Sequence, residues 1–222
     1  MAGRMKRWIP FVMLTVLAAA DAPGALVRAR DAQGGAENLA AVKNVRLTGV
    51  LTAGNVTYRY AETWTASEIL CTWKTSDDEV SRGFDGSTGW MERGIAVALS
   101  EEETGRLKEG LRLRRLLLLQ ADEEFVEDGE DLRAGKYRLH IGPDGTLITL
   151  QFGEDDEETS MRLDRWVKAG AITFPSRWRI SLKAAPAAGA TYVFSRVETG
   201  VEIPDGFFRR ELAKSPDAGG EK

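Results

Sequence analysis

The sequence predicts an α+β fold that is mostly antiparallel β, with one large curved sheet of about ten strands and few helices. Apolar and polar residues alternate at a period of two through most of the chain, and turn signals recur about every 8–12 residues. Only residues 101–120 have the spacing and the start signal of a long helix. With 222 residues, of which 43% are hydrophobic, the chain fits one domain with a full core.

The N-terminal helical segment and the strands follow from this pattern in order. Residues 22–41 have helical spacing that Gly34 and Gly35 should break. A hairpin signal at residues 53–55 joins the first two strands. Pro175 falls inside a strand, which favours a sheet edge or a bulge there. One strand is expected to begin at Trp90, and the others are expected at residues 45–51, 56–64, 69–73, 79–84, 137–141, 147–152, 160–167, 172–182 and 191–199.

The long helix begins at Ser100, because Ser100 and Glu103 have the spacing of a capping box. Leu107, Leu111 and the leucines at 116–119 give this helix a broad apolar face. The arginines on it are expected on other faces, where their stems cover apolar surface and their charges reach water: Arg112, Arg114 and Arg115.

The first 22 residues have the order of a secretory signal peptide. Arg4, Lys6 and Arg7 precede an uncharged apolar run over residues 8–20, and small residues follow. We expect cleavage after Ala20 and export. The run is shorter than the about 20 residues of a membrane-spanning helix, and an uncleaved N-terminal anchor is the alternative. The folded domain is then expected over residues 23–212, with a disordered small and polar tail over 213–222.

The charge and the residue types exclude several classes of function. The net charge is −4, from 30 basic and 34 acidic residues, and phosphate binding needs a basic surface, so no nucleic-acid partner is expected. Cys71 is the only cysteine, so no internal disulfide forms. The single histidine, His140, lies on the charged side of a strand and lacks the partners of a catalytic base. We expect no catalytic residue, metal site or cofactor; a hydrolase with two carboxylates is a distant alternative.

Aromatic residues are numerous at positions that alternation places on one side of the strands. A wide curved sheet with an incomplete cover leaves an apolar cavity, which suits an apolar ligand. The alternative is that these rings fill an ordinary core. The candidates are Tyr58, Tyr60, Trp64, Trp73, Trp90, Phe152, Trp166, Phe174, Trp178, Tyr192 and Phe194.

Several segments resemble the LolA-like family of periplasmic outer-membrane lipoprotein-sorting proteins. They are residues 34–39 (GGAENL) leading into 43–49 (KNVRLTG), the turn 84–90 (FDGSTGW), the helix that begins at Glu101, and 170–175 (GAITFP) with the ending 203–208 (IPDGFF). The likeness lies in their order, extends over residues 31–212 and agrees with the export signal. No residue among them marks the lipoprotein carrier itself, so the cargo stays open.

The resemblance implies an unclosed half-barrel with a helical lid over a hydrophobic cavity. It further implies a monomeric periplasmic carrier of lipoprotein acyl chains or lipids, with inner- and outer-membrane lipoprotein machinery as partners. The alternative is a non-enzymatic sensor or interaction module on the same fold. The lid is assigned to Leu107, Leu111 and Leu116, and the cavity to Leu47, Tyr58, Tyr60, Trp73, Trp90, Leu139, Phe174, Trp178 and Phe194.

Overall fold

The computed structural model describes residues 24–120, 124–153 and 158–213. The expected signal peptide, residues 1–22, lies outside these ranges, as do residues 214–222 of the expected tail. The helices of the described ranges are α1 (Ala25–Ala32), α2 (Ala36–Ala41) and α3 (Glu101–Leu117), with a short 3-10 helix at Pro186–Ala188. None of these helices is long and apolar enough to cross a membrane.

The strands of the described residues form one 13-stranded sheet in which every neighbouring pair is antiparallel. They are β1 (Asn44–Ala53), β2 (Val56–Thr65), β3 (Ile69–Lys74), β4 (Glu79–Phe84), β5 (Gly89–Arg93), β6 (Ile95–Ala98), β7 (Val126–Asp128), β8 (Asp131–Ala134), β9 (Tyr137–Ile141), β10 (Leu147–Phe152), β11 (Thr159–Ala169), β12 (Ile172–Leu182) and β13 (Ala190–Thr199).

The strand order explains why the sheet is open. It runs β6-β5-β4-β3-β2-β1-β13-β12-β11-β10-β9-β8-β7, so the first and last strands of the chain meet in the middle. The two edges are β6 and β7, which follow one another in sequence and are connected through α3. The predicted class, an unclosed half-barrel of antiparallel strands with a helical element, is confirmed.

The count of about ten strands was too low because three strands are very short. β6, β7 and β8 contain 4, 3 and 4 residues, too few for an alternation of period two to stand out. They lie at or next to the two edges of the sheet. The long strands and the break between α1 and α2 agree with the prediction. At that break Gly34 and Gly35 have φ values of 116° and 94°.

Pro175 lies where β12 has a neighbour on one side only, which agrees with the predicted sheet edge, although β12 has neighbours on both sides farther along. Its missing N–H is not needed there, because β12 pairs with β13 only from Arg177 to Ile180. Beyond that point the two strands separate, and the Thr173 N–H donates to the carbonyl of Gln33 at 2.8 Å. The end of α1 therefore fills the split between β12 and β13.

The helix α3 begins as its sequence predicts. The Ser100 Oγ accepts from the Glu103 N–H at 3.2 Å, and the Ser100 N–H donates to the Glu103 carboxylate at 3.3 Å. The helix ends at Leu117 rather than Gln120, and Leu119 adopts a φ of 51° just beyond it. Leu116 and Leu117 are fully buried, which fixes α3 to one side of the sheet.

The sheet has two differently covered faces. We call the face beneath α3 the inner face; its residues join those of the helices in the main core. On the outer face a smaller core forms from Leu70, Trp90 and Phe208 beneath the C-terminal segment. There the Trp90 Nε1 donates to the Phe208 carbonyl at 2.8 Å, and the Arg210 guanidinium lies 4.5 Å from the Trp90 ring centre.

Two glycines give a matched test of how closely α3 approaches the sheet. A Cβ at Gly89 would lie 2.3 Å from the Thr104 Oγ1, whereas one at Gly105 would meet nothing within 4 Å. We expect Gly89→Ala to lower the free energy of unfolding by about 1–3 kcal/mol. Gly105→Ala should raise it by about 0.5–1 kcal/mol, because alanine favours the helix. Urea denaturation of both variants measures this, and equal effects would contradict the close contact.

Candidate functional site

The centre of the inner face is a cluster of aromatic rings from four strands. Tyr60 of β2 lies 5.0 Å from Tyr192 of β13, measured between ring centres, and 5.7 Å from Trp73 of β3. Trp178 of β12 packs edge-on against Phe194 at 4.6 Å and lies 5.8 Å from Tyr192. Alternation places these rings on one face of the sheet, and the sheet order brings their strands together.

The aromatic cluster is closed at one end and half open at the other. Tyr60, Trp178 and Phe194 are buried, whereas Tyr58, Trp73 and Tyr192 are only partly buried. These three lie toward the end of the sheet where the β1–β2 and β3–β4 turns occur. Leu111 of α3 lies toward the other end, where it lines a cavity of about 360 Å³ with Ser67 and Gly86. We call the half-buried trio Tyr58, Trp73 and Tyr192 the aromatic mouth.

A charged pair is buried beneath α3, next to the aromatic cluster. Glu62 of β2 has a fully buried side chain, and Arg114 of α3 keeps only 13% of its side chain exposed. The Arg114 Nε donates to Glu62 Oε1 at 3.0 Å and its Nη2 to Oε2 at 2.7 Å, a two-point contact. The expectation that Arg114 reaches water is wrong, because a carboxylate lies directly below it.

The Glu62 carboxylate also accepts from two neutral donors. The Tyr60 hydroxyl donates to Oε2, and the Cys71 Sγ lies 3.5 Å from the same oxygen. The Arg114 guanidinium lies 5.4 Å from the centre of the Trp178 ring, within range of a cation–π contact. The two oxygens of Glu62 are thus satisfied by the helix above and by the sheet beside them.

Burial sets the protonation of these groups. Burial, with Cys71 and Glu62 nearby, raises the pKa of Tyr60 well above its usual value. Burial and the charge of Glu62 likewise raise the pKa of the Cys71 thiol, and burial raises the pKa of Tyr192 to about 12. Burial acts to lower the pKa of Arg114, but the neighbouring Glu62 raises it by more. The pKa therefore lies well above its usual value, and the guanidinium stays charged.

Other polar contacts hold α3 to the second half of the sheet. The Tyr137 hydroxyl of β9 donates to Glu109 at 2.7 Å, and the Lys136 Nζ lies 2.8 Å from the same carboxylate. Just past the helix, the Gln120 Nε2 donates to the Leu39 carbonyl of α2 at 2.7 Å. One helix is therefore tied to β2 on one side and to β9 and α2 on the other.

The predicted site residues fall into three environments. Those buried in the inner core are Leu47, Tyr60, Leu111, Leu116, Leu139, Phe174, Trp178 and Phe194; those partly buried against it are Tyr58, Trp73 and Leu107; Trp90 alone lies in the outer-face core. Trp90 is therefore not part of an inner cavity, because its ring covers Gly83 on the opposite face.

Sequence reasoning missed Glu62 and Arg114, although both positions carry a signal. Glu62 lies two residues from both Tyr60 and Trp64 and therefore shares their face of the strand, where it is a carboxylate among apolar side chains. Arg114 follows Leu107 and Leu111 at helical spacing, seven and three residues later, and so shares their face of α3. An acid on the apolar face of a strand and a base on the apolar face of a helix together predict a buried pair.

Other candidate chemistry is sparse. His140 is half exposed and its Nδ1 lies 2.8 Å from Asp131, as expected for a surface histidine. Across residues 24–120, 124–153 and 158–213 no group of three or more His, Cys, Asp or Glu side chains could hold a metal ion. A second cavity, of about 590 Å³, lies between α1, α2 and the end of α3, with Leu26, Leu39 and Phe125 in its lining.

Comparison with known proteins supports the fold. No family model matches the sequence, and no curated protein matches it. A LolA superfamily protein from Nitrosomonas europaea is 10% identical with a TM-score of 0.51, covering 85% of this chain and 99% of that one. A domain of a putative outer membrane lipoprotein-sorting protein from Vibrio parahaemolyticus is 8% identical with a TM-score of 0.51, covering 75% and 89%.

A third solved structure has the same architecture. A DUF1329 family protein from Desulfovibrio piger is 10% identical with a TM-score of 0.52, covering 83% of this chain and 95% of that one. At identities this low, the structural similarity shows a common fold only, and the function has to be argued from the site. The LolA-like resemblance in the sequence is confirmed as a likeness of fold.

The raised pKa values predict a protein that loses stability in alkali. Unfolded Cys and Tyr side chains ionise near pH 8.5 and 10, respectively. Because folded Cys71 and Tyr60 hold their protons to higher pH, their contribution is complete below those values and is lost as the pH rises. Each group should steepen the loss by up to about 1.4 kcal/mol per pH unit.

Urea midpoints measured from about pH 7 to 11 check this. Cys71→Ala should remove the part of the slope that begins near pH 8.5, and Tyr60→Phe should reduce the part that begins near pH 10, to which Tyr192 also contributes. A wild-type free energy of unfolding that stays constant across this range would contradict the buried, protonated assignment.

Proposed function

We propose that this protein is an exported, monomeric carrier that binds the acyl chains of lipoproteins or lipids against its inner face. Residues 1–22 would direct it to the periplasm, and residues 23–212 would form the binding domain. The observation that carries the proposal is the inner aromatic cluster, which is half exposed at its mouth and covered elsewhere by one helix. Its function is then binding and release, without catalysis.

The physical need for such a site is clear. An acyl chain gains about 0.8 kcal/mol for each CH₂ removed from water, so its transit through an aqueous compartment needs an apolar surface that can close over it. Tyr58, Trp73 and Tyr192 offer such a surface at the mouth. Deeper entry requires space that Leu107, Leu111 and Leu116 of α3 occupy in the described state.

The helix α3 is suited to act as the lid. Polar contacts of Arg114 and Glu109, and of Gln120 just past its end, hold it in place in addition to its leucines. A cavity of about 360 Å³ lies along it, and one of about 590 Å³ lies just past its C-terminal end. Breaking these contacts would free the inner face, which is the movement that loading and release require.

The likeness to the Vibrio domain gives this proposal its context. A protein described as lipoprotein-sorting shares the fold, and partners in the inner and outer membranes would then load and unload this chain. A sensor on the same fold is the second candidate, favoured by the tight packing of α3, because a ligand that displaced α3 would expose a new surface. Transfer of bound ligand to acceptor vesicles separates the two: a carrier releases it and a sensor retains it.

The first test is ligand capture. The full chain, expressed with its own leader and recovered from a periplasmic extract, should carry lipid or acylated peptide detectable by native mass spectrometry. It should also take up a neutral fluorescent fatty-acyl ester. Trp73→Asp places a charge at the aromatic mouth and should weaken uptake at least about tenfold.

A matched control lies on the other face. Val50 is 39% exposed on the outer face, and Val50→Asp should leave uptake unchanged. If the protein arrives empty and takes up no probe, or if both variants weaken uptake equally, the inner face is an ordinary core and the carrier proposal fails.

The lid can be tested by locking it. A Cβ at Gly89 would lie 3.0 Å from the Thr104 Cβ, close to the about 3.5–4.5 Å of disulfide-bonded cysteines. The variant Gly89→Cys/Thr104→Cys, made with Cys71→Ala to prevent mispairing, should join α3 to β5. Uptake of the acyl ester should fall in the oxidised protein and return on reduction. In the control variant Thr104→Cys/Cys71→Ala, uptake should be the same in both redox states. Uptake that is equal in both states of the locked variant would rule out α3 as the lid.

A further inference from the structure

Glu62 is an unusual group for the floor of an apolar site. Its neighbours on the inner face of β2 are Tyr60 and Trp64, and its cross-strand neighbours are Leu47 and Cys71. The side chain is fully buried, and Tyr60 and Cys71 donate to it without neutralising it. An ionised carboxylate in such surroundings needs a positive partner, because water does not reach it.

The positive partner belongs to the element that has to move. Arg114 is carried by α3, so lifting this helix separates the pair. Removing one member of a buried ion pair strongly destabilises the charge that is left. A ligand that displaces α3 therefore binds more tightly if its own polar group replaces the guanidinium. A carboxylate or phosphate placed there would add repulsion instead.

The rings around Glu62 favour the same class of ligand. The Arg114 guanidinium lies 5.4 Å from the Trp178 ring centre, and Tyr192 lies 5.8 Å from Trp178 and 5.0 Å from Tyr60. Aromatic faces attract cations, and rings grouped around an acid are the usual receptor for alkylated ammonium groups. The site thus has a counter-charge and a wall of rings.

The lid face itself has the chemistry of such a ligand. Leu107, Leu111 and Arg114 follow one another on one side of α3, so an apolar stripe ends in a cation. Leu111 is buried and Leu107 packs against the inner core. In the closed protein this stripe occupies the place where an alkyl chain with a positive head would lie.

We propose that the inner face selects amphiphiles with a cationic head group, with Glu62 as the counter-charge and Tyr60, Trp178 and Tyr192 as the surrounding rings. Arg114 fills this position while the protein is empty. The inference rests on the proposed binding function and specifies the class of its ligand: an alkyl or acyl chain that carries an ammonium group, rather than a free fatty acid.

Three probes with the same chain test the selection: decyltrimethylammonium, decanol and decanoate, each below its micelle concentration. Titration by calorimetry and by tryptophan fluorescence should give decyltrimethylammonium at least about tenfold tighter binding than decanoate, with decanol between them. Glu62→Gln should abolish that order, because the counter-charge is gone.

A second variant keeps the test informative if Glu62→Gln does not fold. Arg114→Met removes the internal occupant and leaves Glu62 without a cation, so it should bind decyltrimethylammonium more tightly than wild type does. Its thermal midpoint should rise more with that probe than with the same concentration of decanol. The matched control is Arg106→Met on the same helix, whose side chain is 76% exposed and should change neither result.

Cationic selection and carrier function fail under different outcomes. Uptake of the neutral acyl ester with equal binding of all three probes would leave the carrier standing and overturn the cationic selection. A preference for decyltrimethylammonium that persists in Glu62→Gln would overturn the selection as well. Failure of every probe, the acyl ester included, in both wild type and Arg114→Met would overturn the proposed function itself.

Discussion

The constraint on which this structure depends is that one helix must cross an open sheet. β6 and β7 are consecutive in the chain but lie at opposite edges of thirteen strands. At about 4.8 Å per strand the edges would be roughly 60 Å apart along the sheet, whereas the 17 residues of α3 span about 25 Å. The other ten residues of this connection could make up the difference only if they were fully extended. Because Leu116 and Leu117 are also buried against the sheet, the sheet has to curl toward the helix. Curvature, the inner face and the covering position of α3 are therefore related through this topology.

A curled sheet that remains open has to protect two edges, and the chain treats them differently. β7 carries Glu127 and Asp128, whose charges disfavour pairing with another strand. β6 has apolar residues, with Ile95 68% exposed, and here the Ala213 N–H donates to the Ala96 carbonyl at 2.9 Å. The C-terminal segment thus covers the outer core at Trp90 and reaches the edge that lacks charge.

Local patterns were enough to predict what depends on neighbours in sequence. The alternation in β1 and β2, the capping box of Ser100 and the break at Gly34 are set within a few residues. Trp90 and Arg114 were misplaced for another reason. Alternation says that Trp90 faces one side, but which side is inner depends on where α3 lies, about ten residues on or more. Pro175 is tolerated only because β13 has already diverged, and Arg114 is buried only because Glu62 lies beneath it.

The pair of Glu62 and Arg114 then relates stability to binding in the proposed carrier. The closed protein satisfies the buried acid with its own arginine, so an incoming ligand competes with a group that is already in place. Its apparent affinity is the intrinsic affinity multiplied by the fraction of molecules in which α3 has left the inner face, so a small open fraction lowers it. A carrier needs such a reduction, because a chain held with the full free energy of its buried CH₂ groups would not be released. The contact between Arg114 and Glu62 holds α3 over the aromatic rings of the empty protein. Its re-formation would compete with the bound cargo and so favour release.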